Sequence, residues 1–142
     1  MRALNLPSFL KYPRGDNLEK IKVIIVDDED LFLKITKINL ERAGKFEVKT
    51  ISDAAGILLL VKSFNPDIIL LDILMPKTDG MEVCKMLRED PAGKKVPIIA
   101  LTALDTDKVR TMMYKLGVVD FLIKPIETSE LISRIEKALK IR

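Results

Sequence analysis

No histidine and no tryptophan occur in the chain, and there is a single cysteine, Cys84. One thiol excludes an internal disulfide. Without histidine the usual ligands of zinc and haem are missing, so any bound metal must be held by oxygen. Long hydrophobic runs are also lacking. The stretch Ile57-Leu58-Leu59-Leu60-Val61 is the best candidate, and it is far short of the roughly 20 residues a spanning helix needs. Met1 to Arg14 has no sustained apolar core and contains Pro7 and Pro13, unlike a secretory signal. These absences lead us to expect a cytoplasmic protein without membrane attachment. Charge of one sign is not in large excess either: the net charge is +3, and aromatic residues make up only 5% of the chain. Lysine and arginine are spread out rather than gathered with aromatics into a stripe, so no direct nucleic-acid contact is expected.

What is present suits one compact domain of 142 residues, 48% hydrophobic and 32% charged. From about residue 20 a strand pattern alternates with a helix pattern five times, the signature of a parallel sheet covered on both faces. The β-branched run Lys22 to Val26 predicts the first strand, and a helix follows from about Asp30 to Ala43, stopped by Gly44. Phe46 to Ile51 reads as the second strand. Ser52 or Asp53 caps a helix to about Phe64, which Asn65-Pro66 ends. Ile68 to Leu71 is the third strand, Gly80 to Glu89 a helix, and Val96 to Leu101 the fourth strand. Asp105 to Leu116 reads as a helix, Val119 to Ile123 as the fifth strand, and Glu127 to about Leu139 as the last helix. Residues 1–20 form an N-terminal extension to a domain of residues 21–142; its Leu4, Leu6, Phe9, Leu10 and Tyr12 make it either a disordered leader or a docking arm.

Right-handed crossovers leave few topologies, and the expected fold is α/β: a single doubly wound five-stranded parallel sheet of order 2-1-3-4-5 with helices on both faces. Its strands end in polar residues: Asp27-Asp28, Asp72, Thr102 and Lys124. With the first and third strands adjacent, the switch point falls between Asp27-Asp28 and Asp72, and all five side chains share one crevice.

Those motifs resemble the receiver domain of the bacterial response-regulator family. Asp27-Asp28 matches the family's acidic pair, and Leu70-Leu71-Asp72-Ile73-Leu74-Met75-Pro76-Lys77-Thr78-Asp79-Gly80 its phosphoacceptor strand and loop. Leu101-Thr102-Ala103 matches the switch hydroxyl, and Phe121-Leu122-Ile123-Lys124-Pro125 the lysine strand. The resemblance covers about residues 20 to 140 and implies a flavodoxin-like fold and a phosphoacceptor role in a two-component or phosphorelay system. It implies phosphorylation of Asp72 in trans by a histidine kinase or histidine phosphotransfer protein, and output through contact with a downstream protein. It also leaves open a homodimer through the fourth helix, fifth strand and fifth helix. The remaining residues are too few for a DNA-binding or catalytic effector domain, so a stand-alone receiver is expected.

The residue types support the same chemistry. Clustered carboxylates repel and recruit a cation, and with oxygen ligands alone Mg²⁺ is the natural occupant. The resemblance assigns it to Asp28, Asp72 and the backbone carbonyl of Leu74, with Asp27 acting directly or through water. Asp72 is then the nucleophile toward phosphorus, and Lys124 neutralises phosphoryl oxygens and pairs with Asp72 when phosphate is absent. Thr102 is expected to turn toward the phosphoryl group. By resemblance, Phe121 follows inward, and Pro125 is preceded by a cis bond. Taken singly, each residue has a plainer role as helix start, turn, strand end or core; one site explains them jointly.

Two other readings compete. A phosphatase or phosphotransferase of the haloacid dehalogenase type also forms an aspartyl phosphate, but it needs a second acid two residues after the nucleophile, where Leu74 stands. A degenerate receiver acting as a phosphate-independent binding module would not require the full set of Asp27, Asp28, Asp72, Thr102 and Lys124. Leu74 and Leu104 flank the path of an attacking water, which predicts slow loss of phosphate. The apolar second helix is either tucked under neighbouring loops or a partner patch.

Overall fold

The computed structural model describes residues 19–141. The N-terminal extension, apart from its last two residues, lies outside that range. Five parallel strands, β1 (Ile21–Val26), β2 (Phe46–Ile51), β3 (Ile68–Asp72), β4 (Ile98–Thr102) and β5 (Asp120–Ile123), form one sheet of order β2-β1-β3-β4-β5. The connecting helices are α1 (Asp30–Arg42), α2 (Ile57–Phe64), α3 (Gly80–Glu89), α4 (Asp107–Lys115) and α5 (Thr128–Ala138). This is the doubly wound, flavodoxin-like arrangement expected from the alternating pattern.

Alternation of side chains along each strand divides the core in two. Ile24, Val26, Ile69, Leu71, Ile98 and Ala100 face α2, α3 and α4, and Val23, Ile25, Ile68, Leu70, Ile99 and Leu101 face α1 and α5. Burial on both faces is why β3 and β4 read as unbroken apolar runs. Cys84 lies fully buried on α3, its Sγ 3.8 Å from the Leu116 carbonyl, and burial pushes its thiol pKa up against the opposing Arg88 charge.

Boundaries shift where a local group intervenes. β4 starts at Ile98 rather than Val96: Pro97 has no N–H for the ladder, although its carbonyl accepts from Ile69 N–H at 3.0 Å. α4 starts at Asp107 because the Thr106 hydroxyl caps it, accepting from Val109 N–H at 3.2 Å. Before α2 the chain makes one 3-10 turn, Ala54–Gly56, capped by Asp53. Ile57, Val61 and Phe64 of α2 enter the core, Leu58 and Leu60 pack half-buried against it, and only Leu59 stands out at 74% exposure. The apolar helix is therefore explained chiefly by packing on the sheet, with no broad exposed patch.

Candidate functional site

Each candidate carboxylate comes to the crevice because an apolar strand ends beside it. Val26 pairs in register with Leu71, which brings Asp27 and Asp28 alongside Asp72 at the carboxyl edge of β1 and β3. Asp27 and Asp72 are buried and Asp28 is half-buried. Ligand oxygens of the three lie within 4.8 Å of one another, a donor set suited to a hard divalent cation. Backbone amides fix two of them: Asp27 Oδ1 accepts from Glu29 N–H at 2.9 Å, and Asp72 Oδ1 from Leu74 N–H at 3.1 Å.

Lys124, at the end of β5, enters from the other side. Its Nζ donates to Asp27 Oδ2 at 2.5 Å and lies 3.5 Å from Asp72 Oδ2. The ammonium is thus shared: it makes the expected pair with Asp72, and Asp27 is a second and closer partner. Its other face is covered by the Phe32 ring, 4.2 Å away. Burial pulls the Lys124 pKa down, but the Asp27 hydrogen bond and the charges of Asp27, Asp72 and Glu29 outweigh it, so the net shift is upward. Asp72 moves from 3.8 to about 6, raised first by burial and then by Asp27, against the attraction of Lys124.

The loop after Asp72 is held close by Gly80, the first residue of α3. A Cβ there would lie 2.6 Å from the Asp72 carbonyl oxygen and 2.6 Å from Ile73 Cα. Only glycine lets the helix start lie against the strand end. Asp79 caps that helix, accepting from Met81 N–H at 2.9 Å.

Thr102 is fully buried at the end of β4, its Oγ1 accepting from Leu104 N–H at 3.1 Å. Phe121 is already inside, 6% exposed, with the Arg110 guanidinium stacked 5.1 Å from the ring centroid. Arg110 is anchored by Asp105 at 2.6 Å. The inward position expected of Phe121 is thus already occupied in this structure. The Lys124–Pro125 bond is cis, as the resemblance implied.

Leu74 and Leu104 are 45% and 42% exposed. A groove of about 500 Å³ adjoins Lys124 between α1 and the start of α5, lined by Phe32, Ile35, Pro125 and Ile126 among others. Sequence reasoning missed Phe32, Arg110 and this groove. The repeated outward apolar positions of α1, Leu31, Ile35 and Ile38, were its one available signal.

Comparison with known proteins agrees with this geometry. The response regulator receiver domain family matches residues 23–136. The alkaline phosphatase synthesis transcriptional regulatory protein PhoP of Bacillus subtilis is 37% identical over 119 residues, 84% of this chain and 48% of PhoP. The chain thus spans about half of that relative. A response regulator structure from Chloroflexus aurantiacus is 31% identical with a TM-score of 0.78, covering 86% of this chain and 99% of the other. The receiver domain of sensor histidine kinase PA1611 from Pseudomonas aeruginosa, which has a magnesium ion coordinated in its active site cleft, is 25% identical with a TM-score of 0.76 over 86% of this chain and 99% of that one. The chain belongs to the response-regulator receiver family, the phosphoacceptor modules of two-component signalling. Among the described residues, no helix is long and apolar enough to cross a membrane.

Proposed function

We propose that this receiver accepts a phosphoryl group on Asp72 from the phosphohistidine of a histidine kinase or histidine phosphotransfer protein. The observation that carries this reading is the cluster of Asp27, Asp28 and Asp72 with the Lys124 ammonium among them. Asp27, Asp28, Asp72 and the Leu74 carbonyl are the groups that would hold Mg²⁺. Bound there, the ion would neutralise charge on the phosphoryl oxygens and lower repulsion between the carboxylates.

The protein's own groups do the rest. An Asp72 oxygen attacks phosphorus in line, the bond from phosphorus to the donor imidazole breaks, and the nitrogen keeps that electron pair. Lys124 follows the developing charge from the carboxylates to the phosphoryl oxygens. The Thr102 hydroxyl exchanges the Leu104 amide for a phosphoryl oxygen, which carries the change into the β4–α4 loop. There the Asp105–Arg110 pair and Phe121 transmit it to the face of α4, β5 and α5, where Met112 and Tyr114 are exposed. That face would meet a downstream protein or a second copy of the chain. The donor would approach along α1, whose exposed Leu31 and Ile35 border the groove beside Lys124.

The aspartyl-phosphate phosphatase reading lacks its second acid at Leu74. The degenerate-receiver reading is disfavoured by retention of every charged group of the site. Intact-mass measurement after incubation with acetyl phosphate and Mg²⁺ tests the proposal. One added phosphoryl group, absent in Asp72→Asn, is expected; a folded wild type that gains none overturns it.

A further inference from the structure

At the opposite edge of the sheet, where β4 and β5 begin, lies a second depression of about 550 Å³. Its floor is apolar, made by Pro97, Leu116 and Val119, the last 49% exposed. Its rim is cationic: Lys94, Lys95 and Lys115 are exposed around it, Arg88 forms the wall, and no acidic residue lines it. Among the described residues none of the three lysines has an ion-pair partner. The nearby Asp90 and Asp120 are turned to Lys62 at 3.6 Å and Arg134 at 2.8 Å.

The depression is held in shape. Arg88 Nη1 donates to the carbonyls of Gly93, Lys94 and Val96 at 3.3, 3.0 and 2.9 Å, and Nη2 to that of Gly117 at 3.2 Å. One guanidinium thus ties the loop before β4 to the turn before β5. Gly93 allows that loop to fold onto α3: a Cβ there would meet the Leu87 carbonyl oxygen at 2.6 Å. A preformed floor lowers the ordering cost of binding. The guanidinium spends its hydrogen bonds on neutral carbonyls, so its positive charge still adds to the potential of the rim.

We infer that this basic-rimmed depression is a docking site for an acidic segment of a partner protein that carries an apolar side chain between its carboxylates. The lysines meet the carboxylates, and the apolar side chain covers Pro97, Leu116 and Val119. A bare inorganic anion leaves that floor uncovered. A nucleic acid finds no aromatic side chain in the lining on which to stack a base. β4 runs from this depression to the phosphoacceptor edge, which separates the two sites by about 15 Å at 3.3 Å per residue. A partner held here leaves the Asp72 crevice open and is retained whether or not Asp72 carries phosphate.

The test is fluorescence anisotropy of a labelled peptide, Glu-Asp-Glu-Leu-Phe-Glu-Asp, titrated with the full chain. Saturable binding is expected, weakened about tenfold or more in the triple variant Lys94→Glu, Lys95→Glu, Lys115→Glu and by raising the salt several-fold. It should persist in Asp72→Asn and in a control of equal charge change, Lys34→Glu, Lys108→Glu, Lys137→Glu. Phosphorylation of the rim variant by acetyl phosphate, with a wild-type circular dichroism spectrum, shows that it folds. No saturable binding by the wild type, or an equal loss in the control variant, overturns the inference. So does undiminished binding of a peptide with serine in place of Leu-Phe, or displacement of the peptide by millimolar inorganic phosphate. Wild-type self-association that the rim substitutions abolish would assign the depression to a second copy of the chain instead.

Discussion

Lys124 sits between two carboxylates at unequal distances, and that inequality has consequences for Asp72. With Lys124 closer to Asp27, burial and the Asp27 charge hold the Asp72 pKa at about 6. A pKa raised in the folded state means stability that is full below the unfolded value and lost as pH rises through the folded one. Metal-free protein should therefore lose stability between about pH 4 and pH 6 relative to Asp72→Asn, and near neutral pH the variant should be more stable by roughly 3 kcal/mol. Urea unfolding in EDTA across that range checks it; parallel curves for the two proteins would refute the assignment. Gly80→Ala sets two effects against each other. The gain in helix propensity is at most about 1 kcal/mol, whereas the new Cβ meets fixed backbone at Asp72 and Ile73, so a net loss of roughly 1–3 kcal/mol is expected in thermal melts. Leu74 and Leu104 stand at the mouth with nothing to orient a water molecule. Leu104→Asn should shorten the lifetime of phosphorylated Asp72 roughly three- to tenfold, read as decay of the mass adduct; an unchanged lifetime, or a wild-type lifetime of seconds, counts against this.

Helix α1 has two unlike apolar sides. Leu33 and Leu40 anchor it in the core, while Leu31, Ile35 and Ile38 remain 69%, 48% and 49% exposed. Ile35→Glu should slow phosphoryl transfer from a phosphohistidine donor about tenfold while leaving the reaction with acetyl phosphate unchanged, because the small donor needs no helix to dock on. Equal effects on both reactions would place the defect in the crevice. At this scale the sequence was readable wherever one strand or helix decided the outcome. The runs ending at Asp72 and Thr102 located β3 and β4 because those strands are buried on both faces, and Gly44 and Pro66 marked where helices stop. Relations between elements were not readable. The preference of Lys124 for Asp27, the Phe32 ring over its ammonium and Arg110 on Phe121 all depend on how α1, α4 and β5 lean on the sheet, which no local pattern encodes. Pro97 was legible in principle, since a residue without an N–H cannot extend a ladder, but the apolar Val96 beside it masked the break.

For the molecule as a whole, the sheet divides its duties between two edges. The carboxyl edge holds the carboxylates and the amino edge the basic depression, with five-residue strands between them. Repulsion among Asp27, Asp28 and Asp72 weakens the metal-free fold, so Mg²⁺ should stabilise it. At about a hundred times its dissociation constant a ligand adds roughly 2.7 kcal/mol, several degrees in Tm for a domain of this size. EDTA should reverse the rise and Asp28→Asn should remove most of it; equal stabilisation of that variant would mean that the ion binds elsewhere. Cys84, buried where α3 meets the turn after α4, carries the chain's one sulfhydryl. Any thiol-reactive dye added to the native protein must wait for that seam to part, so the labelling half-time is a clock for breathing of the layer behind the phosphoacceptor strand.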